Sequence, residues 1–224
     1  MSAVTGAGAC AAVCFAAVGV TVEFDRIGKR FGTRRVLSGI NGVLSAGSVL
    51  VVTGANGSGK STLLNILSGV MRPSTGSVRY RDGERELPRT EWSSRLGVAA
   101  PDMAVYDELT AMENLRFFAH LRGRRDSDGQ LAALLDELGL SVADQSRRVG
   151  DYSSGMRQRV KLAQAVIHEP DVLLLDEPSS NLDTAGHAVV GRVVERFRTR
   201  AAVAVATNDP REMAWGDARV ELGV

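Results

Sequence analysis

Gly54-Ala55-Asn56-Gly57-Ser58-Gly59-Lys60-Ser61-Thr62 stands directly behind the apolar run Val49-Leu50-Val51-Val52 and directly ahead of Leu63-Leu64-Asn65-Ile66-Leu67. Strand, glycine-rich loop and helix start follow in the order of a Gly-x-x-x-x-Gly-Lys-Ser phosphate loop, which reads as a nucleoside triphosphate site. Gly54, Gly57 and Gly59 permit positive φ and close approach, so successive N–H groups, those of Ala55, Asn56 and Ser58 among them, can turn toward a phosphate. Lys60 supplies a point charge for the β and γ oxygens, and the Ser61 hydroxyl can ligate Mg²⁺. Ser61 and Thr62 open a helix whose positive end faces the triphosphate. A glycine-rich turn matching by chance is the plain alternative; the strand before it, the helix after it and the Lys-Ser pair argue against it.

The chain has 224 residues and 44% hydrophobic content, enough for one large or two intimate domains around a sizeable core. Lys plus Arg number 27 against 26 Asp plus Glu, and a net charge of +1 gives no reason to propose a nucleic-acid partner. Cys10 and Cys14 are too few ligands for a structural zinc site and read as free thiols. Residues 1–18 are rich in Ala, Gly and Val but lack a leading basic residue. They read as a loosely packed or disordered extension ahead of one domain at 19–224, rather than as a targeting segment. No stretch is apolar for long enough to span a bilayer, so the chain itself is not expected to cross a membrane and any membrane role must come through a partner.

Val20 to Phe24 alternates like a strand, Gly28 to Gly32 reads as a turn, and Val36 to Ser45 reads as a further strand or turn pair. Ser77 to Tyr80 is a short strand before a hairpin at Asp82-Gly83. From about Thr90 the pattern becomes helical, with apolar spacing over Met112–Leu121 and Leu131–Leu138, and the helical insertion is placed at about residues 96–163. Phe117 and Phe118 are expected to be packing residues, His120 a solvated or core imidazole, and Arg122, Arg124 and Arg125 a solvated helix end. A helix from Met156 to His168 stops at Glu169-Pro170; Val172–Leu175 reads as a buried parallel strand, Thr184–Arg198 as a helix and Ala202–Thr207 as the next strand. Alternating strands and helices point to an α/β fold.

Asp176 and Glu177 end the Val172–Leu175 strand, on the edge where α/β sheets bind ligands. Asp176 can hold Mg²⁺ through water beside Ser61, and Glu177 can orient or deprotonate the water that attacks a γ-phosphate. An acidic strand end alone is also compatible with a helix cap for the next segment.

At this point the sequence from Val20 to Leu222 resembles the ATP-binding cassette ATPases. Tyr152-Ser153-Ser154-Gly155-Met156 is similar to the family signature Leu-Ser-Gly-Gly-Gln, with the Ser and the second Gly kept, and it lies upstream of Asp176-Glu177-Pro178. The resemblance implies an α/β P-loop NTPase (RecA-like) core with an antiparallel β subdomain and a helical insertion. It also implies ATP as cofactor with Mg²⁺, and a head-to-tail dimer in which Ser153, Ser154 and Gly155 reach the ATP of a second nucleotide-binding subunit. A helix cap is the plainer reading of Ser153 or Ser154 taken alone. Ser180-Asn181-Leu182-Asp183 resembles the D-loop, with Asp183 at the dimer contact, and Phe31 falls where the family stacks an aromatic ring on adenine. A core phenylalanine beside a turn is the alternative for Phe31.

Two positions depart from the family pattern. Pro101 stands where the Q-loop has Gln and can make no side-chain hydrogen bond. Nearby Asp102 could approach the metal, and Asp107 or Glu108 a partner. Asn208 stands where the switch His is usual, and Asn can neither carry positive charge nor shuttle a proton. The resemblance implies a cytoplasmic ATP-hydrolysing subunit, peripheral on the inner face of the membrane through integral permease subunits, with coupling around Pro101 to Asn114. Lys60, Glu177 and Asn208 act on the γ-phosphate, and the substitutions at 101 and 208 are expected to make turnover slow. Tyr106 to Thr110 and Glu113-Asn114-Leu115 resemble bacterial multidrug and haem-exporter subunits, and the few residues after Asn208 leave no room for an importer-type regulatory domain. The rival expectation is a regulatory ATPase of the same fold, or a low-turnover nucleotide-binding module, with no membrane partner.

Overall fold

The computed structural model describes residues 19–223; the N-terminal stretch with Cys10 and Cys14 lies outside the described residues. Strands β1 (Val20–Phe31), β2 (Arg34–Ser45) and β3 (Val49–Thr53) lead into α1 (Lys60–Leu67), followed by β4 (Thr75–Asp82), β5 (Arg85–Glu86), α2 (Arg89–Trp92) and β6 (Leu96–Ala99). Helices α3 (Ala111–Leu121), α4 (Asp128–Glu137), α5 (Val142–Gln145) and α6 (Ser154–Val166) come next. The chain then alternates through β7 (Val172–Asp176), α7 (Thr184–Arg198), β8 (Ala202–Ala206), α8 (Pro210–Met213) and β9 (Ala218–Glu221).

Two sheets form. A four-stranded antiparallel sheet has the order β2-β1-β4-β5, and a five-stranded parallel sheet has the order β6-β7-β8-β3-β9. β3, β7 and β8 are buried at every residue, which is why they read as unbroken apolar runs. The two-residue side-chain period sorts them between two cores. Val49, Val51, Leu173, Leu175, Val203 and Val205 pack with α3, α4, α6 and α7. Leu50, Val52, Val172, Leu174 and Ala204 face α1 and the antiparallel sheet, where Val22, Phe24, Leu44 and Tyr80 close the layer. The ligand-binding edge of the parallel sheet, with Thr53 and Asp176 at strand ends, is thereby held rigidly from both sides.

The stretch Gly28–Gly32 differs from its reading as a turn. β1 continues through it to Phe31, with register shifts after Phe24 and Ile27, and the reversal falls at Gly32-Thr33. The bulges absorb the extra residues. Gly28 is there for close approach, since a Cβ would meet Thr75 Oγ1 at 2.3 Å. Leu96–Ala99 is a strand of the parallel sheet, and the long helices begin at Ala111. On α3 the residues Ala111, Leu115 and Ala119 face the core, while Phe117 is 39% exposed and Phe118 half-buried. Core spacing of four residues therefore runs past both phenylalanines, and they pack with Tyr106 at the surface, ring centroids 5.1 Å (Phe117) and 6.1 Å (Phe118) from it. His120 is exposed.

Candidate nucleotide site

The phosphate loop starts where β3 ends. Ser58 N–H donates to Ala55 O at 3.0 Å to close a turn, and Gly59 stands at the N-cap of α1 with φ 104°. A side chain on Gly59 would be strained in that conformation and would meet Val36 and Leu37 at under 3 Å, so β2 presses the loop from behind. The loop opens into a cavity of about 580 Å³ lined by Phe31, Arg34, Val36, Asn56, Gly57, Gly59, Lys60, Ser61, Thr62 and Glu177. Gly57 has nothing within 4 Å of where its side chain would be, so its backbone faces open space. Of the expected residues, Gly54, Ala55 and Ser58 belong to the loop but do not line this cavity; Ser58 lies beside Leu222 and its buried hydroxyl lacks a partner among the described residues.

Lys60 is 6% exposed, yet its Nζ has polar company: it donates to Gly54 O at 2.9 Å and lies 3.6 Å from Glu177 Oε1. A buried ammonium held this way is already desolvated and aimed at the cavity. Asp176, at the end of β7, has a buried Oδ1 with no partner among the described residues. Burial pushes the Asp176 carboxyl above the ordinary carboxylate range, against the pull of the Ser61 hydroxyl and the Lys60 charge. A carboxylate oxygen left without a donor beside a hydroxyl suits a hard cation. Among the described residues no group of three or more His, Cys, Asp or Glu side chains could hold a metal alone, so such a cation needs phosphate oxygens and water as well.

Glu177 is raised by burial, opposed by Lys60, with the Glu212 and Asp176 charges adding to the rise. Its backbone is left-handed, φ 47°, and its N–H donates to Ala206 O at 2.8 Å. That bond ties the acid to the end of β8, where Asn208 follows. Asn208 Nδ2 donates to Asn56 Oδ1 at 2.7 Å, joining the switch position to the phosphate loop by a neutral amide contact. Phe31 is nearly half exposed at the cavity mouth, with Lys29 Nζ 5.1 Å from its ring centroid, and is therefore not a core phenylalanine.

The signature residues lie elsewhere. Ser153 caps α6, its Oγ accepting from Met156 N–H at 3.3 Å, and its own proton stays available to donate. Ser153, Ser154, Gly155, Arg159, Asn181 and Asp183 line a second cavity of about 360 Å³ that shares no residue with the first. Asp183 caps α7 through Gly186 N–H at 2.7 Å, with Arg159 at 3.9 Å. Pro101 is exposed, and its carbonyl accepts from Lys161 of α6. Asp102 is felt electrostatically at both Lys161 and Asp176, and Asp107 pairs with Arg157 at 2.5 Å.

Three contributors escaped the sequence. Asn114, fully buried, accepts from Tyr106 N–H at 2.8 Å and donates to Tyr106 O and Thr110 O, locking the loop ahead of α3. Gln158 donates to Pro178 O at 3.1 Å, and the buried Glu212 accepts from Ser179. Glu113 completes a capping box with Thr110, a Thr-x-x-Glu spacing passed over in the sequence.

Residues 37–180, more than half of the chain, match the ABC transporter family. The chain belongs to the ABC transporter family. Among its relatives, the ABC transporter ATP-binding protein YdbJ of Bacillus subtilis is 33% identical over 74% of this chain and 53% of its own length. The cytochrome c biogenesis ATP-binding export protein CcmA of Methylococcus capsulatus is 32% identical over 84% of this chain and 90% of its own. The chain spans between 53% and 64% of the length of YdbJ and two further relatives. The dimeric structure of MJ0796, a bacterial ABC transporter cassette, superposes with a TM-score of 0.80 at 21% identity, covering 90% of this chain and 94% of that one. The ABC cassette fold is thus shared: an α/β P-loop core, an antiparallel sheet and helices between β6 and β7.

Proposed function

We propose that this chain binds and hydrolyses ATP as the nucleotide-binding subunit of an ABC transporter, two copies closing head to tail around two ATP molecules. The observation that carries it is the separation of the phosphate-loop and signature cavities, which leaves each chain with two half-sites. Dimeric family structures support the closure.

In this reading the loop N–H groups and Lys60 hold the β and γ phosphates, and Phe31 stacks on the base. Ser61 and Asp176 would hold Mg²⁺, which would supply neutralisation of the phosphate charge. Glu177 orients the attacking water and takes its proton as the new bond to phosphorus forms and the bond to the β–γ bridging oxygen breaks, releasing ADP. The partner copy supplies Ser153, Ser154 and Gly155 at the γ-phosphate, with Asp183 at the contact between copies. The neutral Asn208–Asn56 contact supports slow hydrolysis with competent binding, because a charge-assisted bond at the switch position is about twice as strong as a neutral one.

Among the described residues no helix is long and apolar enough to cross a membrane. Attachment to the cytoplasmic face is proposed through integral permease subunits, against residues 101–114 at the start of the helical insertion, which begins after β6. The surface cluster Tyr106, Phe117 and Phe118 supports a partner there. Similarity to CcmA, by name a cytochrome c biogenesis export protein, supports an export role. Glu177→Gln with ATP should convert a monomer to a dimer by light scattering, and a persistent monomer at saturating ATP would sink the composite site. Failure to co-purify with any integral membrane protein in mild detergent would instead favour the regulatory ATPase.

A further inference from the structure

Glu212 belongs to none of the motifs above, yet its carboxyl is 1% exposed, on a helix of four residues. Oε1 accepts from Ser179 N–H at 3.1 Å and from the Ser179 hydroxyl, and Oε2 is buried with no partner among the described residues. Burying a carboxylate is unfavourable unless its hydrogen bonds repay it, so a mere link between helix and loop is more cheaply made by a neutral side chain.

The location of this carboxylate gives it a role. Ser179 follows Glu177 by two residues, and Glu177 N–H is itself bound to Ala206 O at 2.8 Å. Asp209 caps α8 and directly follows Asn208. The segment Glu177-Pro178-Ser179 is therefore fastened at one end to the last residue of β8 and at the other to α8, the two flanks of the turn that carries Asn208. Gln158 of the signature helix holds the middle through Pro178 O. Glu177 keeps a left-handed backbone, φ 47°, which a residue with a side chain retains only where its surroundings enforce it.

We propose that Glu212 is a positioning residue for phosphoryl transfer: through Ser179 it fixes Glu177 over the cavity and makes that placement follow the turn bearing Asn208. Glu212 touches neither nucleotide nor water. The inference rests on Glu177 acting as the base.

Single-turnover ATP cleavage by the full chain in excess, with fluorescent-nucleotide binding and thermal melting alongside, tests it on Ser179→Ala, Ser179→Thr, Glu212→Gln and, as reference, Glu177→Gln. Ser179→Ala loses one of the two bonds, and the cleavage rate should fall about 5- to 20-fold, with nucleotide affinity within about twofold of the parent, since bonds to charged groups are individually strong. Ser179→Thr keeps the hydroxyl and should restore the rate to within about twofold. Glu212→Gln keeps an acceptor but loses the charge-assisted bonds, and should slow cleavage without weakening binding. Parent-like rates in both Ser179→Ala and Glu212→Gln, beside an inactive Glu177→Gln, overturn the proposal alone. A rate loss matched by equal loss of nucleotide affinity and melting temperature also overturns it, since it marks a purely structural contact. An active Glu177→Gln overturns instead the reading of Glu177 on which it rests.

Discussion

Lys60 and Ser153, both proposed above to meet phosphate, stand in opposite surroundings. Lys60 is sunk to 6% exposure, braced by Gly54 O and facing Glu177 across 3.6 Å. Ser153 is exposed, and it, Asp183 and Arg159 spend their bonds on helix caps and loop carbonyls of their own chain. The first region is desolvated and preorganised before any ligand arrives. The second is a surface on which the Ser153 hydroxyl donates to no group among the described residues. Affinity for nucleotide should therefore reside in the phosphate-loop half, and reaction rate in the meeting of the two.

That division can be broken at several strengths. The largest effect is expected for Glu177→Gln, where losing a general base should cut turnover by roughly 10²- to 10⁴-fold while nucleotide still binds; steady-state phosphate release reads it. Lys60→Ala should weaken ATP binding by about 10- to 100-fold in the single chain, because bonds to a charged group are worth about 1.5–3 kcal/mol, as nucleotide displacement titration would show. Ser153→Ala should leave that single-chain affinity within about twofold while slowing turnover by about tenfold. Loss of single-chain affinity there would erase the distinction between the halves. Asn208→His should raise turnover several-fold by converting a neutral contact to a charged one, and no gain would clear Asn208 of limiting the rate.

The smallest test acts on the anchor of the signature helix. His168, just beyond α6, bonds Leu96 O of β6 at 2.8 Å through Nε2, and its Nδ1 is buried without a partner among the described residues. Burial, with Arg122 and Arg124 adding to it, lowers its pKa from 6.5 to about 4. The unfolded chain then takes up a proton first, so the stability tied to neutral His168 is complete above about pH 6.5 and drains as pH falls toward 4. Melting temperature against pH should show that slope, and His168→Gln should flatten it.

Much of this was legible in the chain because the decisive signals were local. The phosphate loop is one contiguous run, the buried strands announce themselves by unbroken apolar residues, and Asp176-Glu177 closes one of them. Phe31 came from position alone, and the structure puts it at the cavity mouth. The missed features are pairings at long range. Glu212 reads as a surface acid until Ser179, 33 residues away, is seen to bury it. Asn56 and Asn208 meet across 152 residues. β1 outran its expected end because bulges are set by the partner strands, and α3 left Phe117 exposed and Phe118 half-buried because the core stripe was carried by two alanines and a leucine.

The left-handed backbone at Glu177 has a bearing on how such a chain can change. A residue with a side chain gives up about 1 kcal/mol or more to sit there, whereas glycine sits there freely. Substitution toward greater stability at this position thus runs directly against the role proposed for Glu177, and the most comfortable residue for the turn is one that can hold no water. The acid is a standing debt of the fold, and a lineage released from the need to hydrolyse has a downhill route to discard it.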